Sequence, residues 1–211
     1  MRRTSALALI VLLAACSGGD GGGGGDASGS EPAISEQSVE VPAIELEVTR
    51  SEYVSPHQAR GPIPERAAVE ALEVVQSLFD ATVVDAAVTG EPGDATALFT
   101  EGALERVRTR DYAALVDAAV APLEGLEAEK AAVGLAALAD EANRPALVVA
   151  AIDWDVRSTD GAVRIRRVGE LSLVPEGPAG GWVIAAYSVV TERTVHGVTT
   201  TTTTTTEAGG S

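Results

Sequence analysis

Two aspartates in this 211-residue chain are of a type and spacing that could support metal binding or acid/base catalysis. Asp153 and Asp155 are two positions apart in an alternating apolar stretch, so a β-strand would place both carboxylates on one face, about 6–7 Å apart. Such a pair could hold a metal ion or act as an acid/base couple. However, Arg164 and Arg166 would face the pair across the next hairpin. We therefore favour a solvated ladder of ion pairs, with a carboxylate-dependent enzyme as an alternative.

An arginine in the next apolar stretch is the second candidate. Arg167 interrupts an otherwise apolar strand face that would also contain Trp154 and, if the following hairpin keeps its register, Tyr187. An arginine at the mouth of an apolar concavity can hold an anionic group with support from aromatic stacking. The structural alternative is that its guanidinium reaches the rim or pairs with a helix carboxylate. Arg167, Trp154 and Tyr187 are thus the candidate ligand-binding residues of a small-ligand carrier or sensor.

The histidines are poorly placed for catalysis. His57 lies in a proline-rich stretch and His196 in the C-terminal tail, and neither belongs to a predicted rigid element. A general base must be held within hydrogen-bond reach of its proton, and a zinc site needs several such ligands. We predict no catalytic residues, no metal site and no cofactor.

The single cysteine, Cys16, has a different chemistry. A positive start, Met1 to Arg3, precedes an apolar run from Ala6 to Ala15, which is typical of a secretory signal peptide and too short to span a bilayer. The residues Leu13-Ala14-Ala15-Cys16 resemble the lipobox of bacterial lipoproteins. That resemblance implies cleavage after residue 15 and attachment of membrane lipid to Cys16. We therefore expect a lipid-anchored protein on the extracytoplasmic face of the cell membrane.

The charge of the chain bears on its partners. The formal net charge is −16, and loss of Arg2 and Arg3 with a signal peptide would make it −18. Such a charge repels phosphates, so we expect no nucleic-acid partner. Aromatic residues make up only 3% of the chain, so any core must consist mainly of Ala, Val, Leu and Ile.

Composition divides the chain into four parts. Residues 1–15 are the predicted lipoprotein signal peptide, and residues 16–64 a flexible Gly/Ser/Pro-rich linker. Within this linker Ile44, Leu46 and Val48 alternate with polar residues, which predicts a possible edge strand over 43–49. Residues 65–194 form the predicted domain. The tail 195–211 contains a threonine run and is predicted to be disordered.

The domain itself divides into helices followed by strands. Apolar residues at helical spacing predict a helix from about Glu65 to Val88, then short helices over 94–99, 101–109 and 111–120. Alternating stretches then predict four strands, over 130–139, 146–158, 162–174 and 182–193. The short turns between them make these strands antiparallel neighbours. The predicted fold class is α+β, with N-terminal helices packed on a curved four-stranded antiparallel meander.

This order of elements carries a family resemblance. The stretch from Ala95 to Asp117, followed by the meander, resembles bacterial lipoproteins with a nuclear-transport-factor-like (SnoaL-like) α+β roll. Members of that roll include isomerases, hydrolases, ligand carriers and interaction modules, so the resemblance does not select an activity. Our leading expectation is a non-catalytic module that binds an envelope protein, with a homodimer through the open sheet face as a further expectation.

Overall fold

The computed structural model describes residues 43–57, 60–115, 122–123, 125–177 and 181–205. These residues all belong to one structural unit, which comprises Val39–Ser211. The predicted signal peptide, Cys16 and most of the predicted linker lie outside the described residues.

A six-stranded mixed sheet dominates the structure. Its strands follow one another in chain order across the sheet, and each is antiparallel to its neighbours except the first, which runs parallel to the second. The strands are β1 (Glu47–Val54), β2 (Leu126–Ala139), β3 (Pro145–Ser158), β4 (Val163–Pro175), β5 (Trp182–Val195) and β6 (Val198–Thr205).

The predicted fold class is therefore wrong. The protein is predominantly β, with short helical pieces on a six-stranded mixed sheet, and it is not a set of helices on a four-stranded antiparallel meander. The four central strands lie within a few residues of their predicted positions, because their apolar residues alternate clearly. The two outer strands were missed as members of the sheet, each for its own reason.

The first strand lies among prolines and was predicted four residues too early, over 43–49. The segment before β1 is instead held by Gln76 of a helix, whose Nε2 donates to the Ile44 carbonyl at 2.8 Å while its Oε1 accepts from the Leu46 amide at 2.9 Å. At the other end of β1 the Tyr53 hydroxyl donates to the Asn143 carbonyl at 2.9 Å. Residues 43–57 and 60–64, which we assigned to a flexible linker, are thus part of the folded domain.

The last strand lies in the tail that we predicted to be disordered. His196 and Gly197 form a two-residue turn with φ of 47° and 82°, the positive values that a type I′ hairpin requires. Beyond this turn β6 pairs with β5 along its whole length. A threonine run shows no alternation of apolar and polar residues, yet threonine is β-branched and favours strands.

Two helical segments cover one face of the sheet. The first combines α1 (Glu65–Phe79), a π-helical turn (Asp80–Val84) and α2 (Asp85–Thr89), which confirms the predicted helix. A 3₁₀ turn (Thr96–Leu98) leads to the second segment, with α3 (Glu101–Arg106), a π-helical turn (Val107–Asp111) and α4 (Tyr112–Leu115). The two helices predicted over 101–120 thus form one continuous segment as far as residue 115, beyond which they lie outside the described residues.

The core lies between this helical layer and the sheet. Phe79 meets Trp154 edge-to-face, with ring centroids 5.0 Å apart. Val75, Leu78 and Leu115 pack on the same buried face of the sheet. Every second residue is buried from Val148 to Val156 in β3 and from Val163 to Leu173 in β4, except the half-buried Gly169. The predicted inward facing of Trp154 and Arg167 is therefore confirmed.

Candidate functional site

The outer face of the sheet carries the predicted ion-pair ladder. The Nε of Arg164 donates to Asp155 Oδ1 at 2.8 Å, and Lys130 pairs with Asp153. Arg166 lies 3.7 Å from Glu192 on the next strand. The cross-strand pairing that we expected between these aspartates and the arginines is confirmed for Asp155.

These ion pairs bear on the carboxylate-enzyme alternative. A depression of about 450 Å³ lies over the ladder, and its walls are the paired side chains themselves. The Asp155 side chain is only 10% exposed, and that of Asp153 is 31% exposed. Each carboxylate is nevertheless paired with a basic side chain, Asp155 with Arg164 and Asp153 with Lys130. Among the residues that the structure describes, no three His, Cys, Asp or Glu side chains are grouped to hold a metal ion. The geometry of this face is that of a neutralised surface.

The inner face holds the predicted ligand-binding residues. Trp154, Arg167 and Thr191 are direct neighbours on three adjacent strands. Arg167 is 1% exposed, and its guanidinium carbon lies 5.9 Å from the centroid of the Trp154 ring. Its Nη1 donates to the Thr82 hydroxyl at 2.8 Å and its Nε to the Thr191 hydroxyl at 3.2 Å. The guanidinium therefore binds protein groups from both layers.

The two threonines orient their hydroxyls toward this arginine. Thr82 donates its own proton to the Leu78 carbonyl at 2.7 Å, and Thr191 donates to the Ala114 carbonyl at 2.7 Å. Each hydroxyl has one proton, so its oxygen then presents only lone pairs to Arg167. Through these bonds Arg167 ties both helical segments to the sheet.

Tyr187 makes a second bond between the layers. Its hydroxyl donates to Asp111 Oδ2 at 2.9 Å, and Asp111 Oδ1 accepts from the Arg110 Nε at 3.3 Å. Burial opposes ionisation of Asp111, but the hydrogen bonds from Tyr187 and Arg110, together with the positive charge of Arg110, hold its pKa below the ordinary value. Burial, followed by the bond to Asp111, raises the pKa of Tyr187.

A small pocket lies in the helical layer, directly beside this buried network. We call it the helical pocket. It has a volume of about 190 Å³ and a mainly apolar lining. The lining residues include Thr82, Ala95, Phe99, Leu104, Val107 and Leu115, with Asp94 and Arg108 among its polar ones. Both π-helical turns contribute to it, one through Thr82 and the other through Val107 and Arg108, and such turns occur frequently at functional sites.

One wall of the helical pocket is a loop that packs tightly on the first helical segment. The Gly93 amide donates to the Ala81 carbonyl at 2.8 Å, and a Cβ at Gly93 would lie 3.1 Å from the Ala81 Cα, closer than ordinary van der Waals contact. A larger residue at this position would therefore require Ala81 and the Asp85 side chain to shift. Next in the loop, the Thr96 side-chain and backbone groups donate to Asp94, and these bonds lower the pKa of Asp94.

The predicted ligand residues support this pocket from behind and do not line it. Thr82 contacts both the pocket and Arg167, and the Phe99 ring packs edge-to-face on Tyr187 with centroids 6.2 Å apart. The prediction that Arg167, Trp154 and Tyr187 share one face is confirmed. No sequence pattern indicated this pocket, because its walls come from a loop and from π-helical turns that interrupt the regular helical spacing.

Comparison with known proteins adds nothing to this geometry. No known protein family, curated protein or solved structure shows significant similarity to the chain. Within the described ranges, which begin at residue 43, no helix is long and apolar enough to cross a membrane.

Proposed function

We propose that this protein is a lipid-anchored, non-catalytic binding module on the extracytoplasmic face of the cell membrane. The observation that carries the proposal is the sequence Leu13-Ala14-Ala15-Cys16 directly after an apolar run. A glycine-rich stretch, residues 17–30, follows and has the composition of a flexible tether. Basic side chains pair with Asp153 and Asp155 on the outer face, and Arg167 is bonded to Thr82 and Thr191 on the inner face, which supports binding over catalysis.

The anchor is tested by the mass of the mature N-terminus. The full chain is expressed in a bacterium that processes lipoproteins, extracted from membranes with detergent and analysed by intact mass spectrometry. We expect a chain that begins at Cys16 and carries acyl groups. Cys16→Ser should abolish both the acylation and the membrane association, whereas Ser17→Ala should leave both unchanged. An unmodified Cys16 in the wild-type protein would contradict the proposal.

A second function, a small-ligand carrier, is favoured by the helical pocket. Its volume of about 190 Å³ corresponds to roughly six water-sized volumes. This is below the usual size of pockets for drug-sized ligands, so it fits a small apolar molecule or the end of a longer one. Arg108 and Asp94 would contact a polar group on such a ligand.

Native mass spectrometry on protein purified gently from its own cells tests the carrier function. A bound small molecule should be lost on Leu104→Trp, which fills the pocket. It should be retained on Val69→Trp, because Val69 is exposed on α1 and does not line the pocket. Empty wild-type protein that also fails to bind added benzene or hexanoate would exclude this function.

A further inference from the structure

The sheet has two edges, and the edge formed by β1 is protected against the addition of another strand. We call it the guarded edge. The chain after β1 folds back on it, so that the Tyr53 amide donates to the Gly61 carbonyl at 2.7 Å and the Gly61 amide to the Tyr53 carbonyl at 3.2 Å. Charged side chains, among them Arg50 and Glu52, also project from this strand. Covering an edge and placing charges on it are two ways by which proteins prevent strand addition.

In the part of the chain that the structure describes, the second edge, β6, has neither protection from Val198 to Thr204. In a two-residue hairpin the flanking residues Val195 and Val198 form a hydrogen-bonded pair, and such pairs alternate along the strands. The amides and carbonyls of Thr199, Thr201 and Thr203 therefore point away from β5. In the part of the chain that the structure describes, no backbone group pairs with these three residues on that side. From Val198 to Thr205 the strand contains neither proline nor a charged residue.

We propose that β6 is a docking site for a second copy of this chain, which adds its own β6 in antiparallel orientation about a two-fold axis. The two sheets would then continue into one another through the new pair of strands. This differs from a homodimer through the open face of the sheet, because that face carries the ion-pair ladder.

The threonine run suits a second copy better than an arbitrary peptide. Two antiparallel threonine strands place threonine opposite threonine at each position, and such cross-strand pairs stabilise a sheet. A strand of one residue type also satisfies the symmetry of a two-fold interface, in which the same surface serves both partners.

The C-terminal end of β6 limits the docking site. There Arg110, which also pairs with Asp111, donates to the Thr205 carbonyl at 3.5 Å. Among the described residues of β6, the outward-facing backbone groups offered to a second copy are therefore those of Thr199, Thr201 and Thr203.

Membrane anchoring would strengthen this contact. A pair of eight-residue strands is a small interface compared with the roughly 800 Å² that each partner buries in a standard complex. Copies anchored in one membrane meet at a high effective concentration, and a weak contact then becomes populated. This step alone rests on the proposed function, whereas the geometry of the edge does not depend on it.

Disulfide cross-linking of the full chain in membranes tests the docking site. Single cysteines replace Thr199, Thr201, Thr203 or Thr205, and mild oxidation is followed by non-reducing electrophoresis. We expect cross-linked dimers at one or two neighbouring positions close to the two-fold axis, where Cβ atoms approach within about 4.5 Å. Ser51→Cys on the guarded edge is the matched control and should not cross-link. Equal cross-linking at Ser51→Cys, or none on β6, would overturn the proposal.

The chain without added cysteines is the control for the cross-linking scan, and it tests the proposed lipid anchor separately from the docking site. Its only cysteine is Cys16, so a lipidated protein has no free thiol and forms no disulfide dimer. A dimer through Cys16 in the unaltered chain would contradict the anchor and leave the β6 docking site to be decided by the scan.

A proline substitution provides a second test on the same strand, read out by the cross-link of the best cysteine position. Thr201→Pro removes an amide that points away from β5, so it should reduce the dimer at least tenfold without breaking the β5–β6 ladder. Thr201→Val keeps the amide and removes only a side-chain hydroxyl, so it should reduce the dimer far less than Thr201→Pro does. If Thr201→Pro disturbs folding, the pair Thr201→Lys and Thr203→Lys replaces it and should separate the copies by like-charge repulsion. Dimers that survive in the folded variants would overturn the proposal.

Discussion

Two consecutive arginines of β4 show how differently the two faces of the sheet are used. Arg166 points outward, where its side chain is 45% exposed and 3.7 Å from Glu192. Arg167 points inward, is 1% exposed, and donates to hydroxyls from both layers. The residue type is the same and the positions are adjacent, so the side of the strand determines the role.

The same contrast holds for the acidic residues. Asp153 on the outer face pairs with a lysine that is itself half exposed. Asp111 in the helical layer is buried and accepts from Tyr187. Exposed pairs contribute little to stability because water and salt screen them, whereas a buried polar group that loses its partner is costly. Substitutions in the inner network should therefore lower the free energy of unfolding strongly, whereas substitutions in the outer ladder should change it little.

The largest effect should come from Arg167→Met. The change removes both hydrogen bonds to the threonine hydroxyls, and we expect it to lower the free energy of unfolding by about 3 kcal/mol. Arg166→Met is the matched control, and it should change this free energy by less than about 0.5 kcal/mol. Urea denaturation followed by circular dichroism measures both. Equal effects of the two substitutions would contradict the expected difference in stability between the inner and outer faces.

The next largest effect on the free energy of unfolding should come from Tyr187→Phe. It removes a single hydroxyl and leaves the buried Asp111 carboxylate without that donor, at a cost of about 1.5 kcal/mol. Tyr112→Phe is the control, because Tyr112 is exposed. Thermal and urea unfolding of the two variants would show whether the Tyr187 hydroxyl is a structural bond, and a neutral Tyr187→Phe would contradict this.

The pH dependence of stability sharpens the contrast for Asp111. Its pKa is lower in the folded state than the ordinary aspartate value of about 3.9, so its ionisation stabilises the fold above that pH. This stabilisation is lost as the pH falls through the folded-state pKa. The free-energy difference between wild type and Asp111→Asn should thus be largest at neutral pH and narrow in acid. A difference that widens toward acid would have the wrong sign.

The smallest effect should come from the outer ladder. Lys130→Met removes the partner of Asp153, and we expect a loss of about 0.5 kcal/mol in the free energy of unfolding. The loss should shrink further as salt is added, because salt screens exposed pairs. A larger loss that is independent of salt would show that the outer face also contains a structural network.

Regular alternation of apolar and polar residues made the four central strands predictable, but the two edge strands lack it. The facing of Trp154 and Arg167 followed from the two-residue period of β3 and β4, and the Asp155–Arg164 pair followed from the hairpin between them. β1 was obscured by nearby prolines, and β6 by a run of identical residues. The alternation of Ile44, Leu46 and Val48 ends where β1 begins, so that strand was predicted four residues too early, and the threonine run has no alternation at all.

The role of the buried arginine could not be read from the sequence. An arginine on an apolar face fits a ligand contact and a structural bond equally well. The structural role depends on Thr82, which lies 85 residues away in a π-helical turn and accepts a hydrogen bond from Arg167. No local pattern encodes that contact.

Arg167 is a structural residue buried inside the protein, and Arg166 is a surface residue. Nuclear magnetic resonance of the arginine Nε–H groups tests this difference, because their exchange with water reports the exposure and bonding of each group. We expect slow exchange for Arg167, with a chemical shift displaced by the Trp154 ring, and fast exchange for Arg166. Equal exchange rates would contradict a structural role for Arg167 and would make it a candidate for ligand binding again.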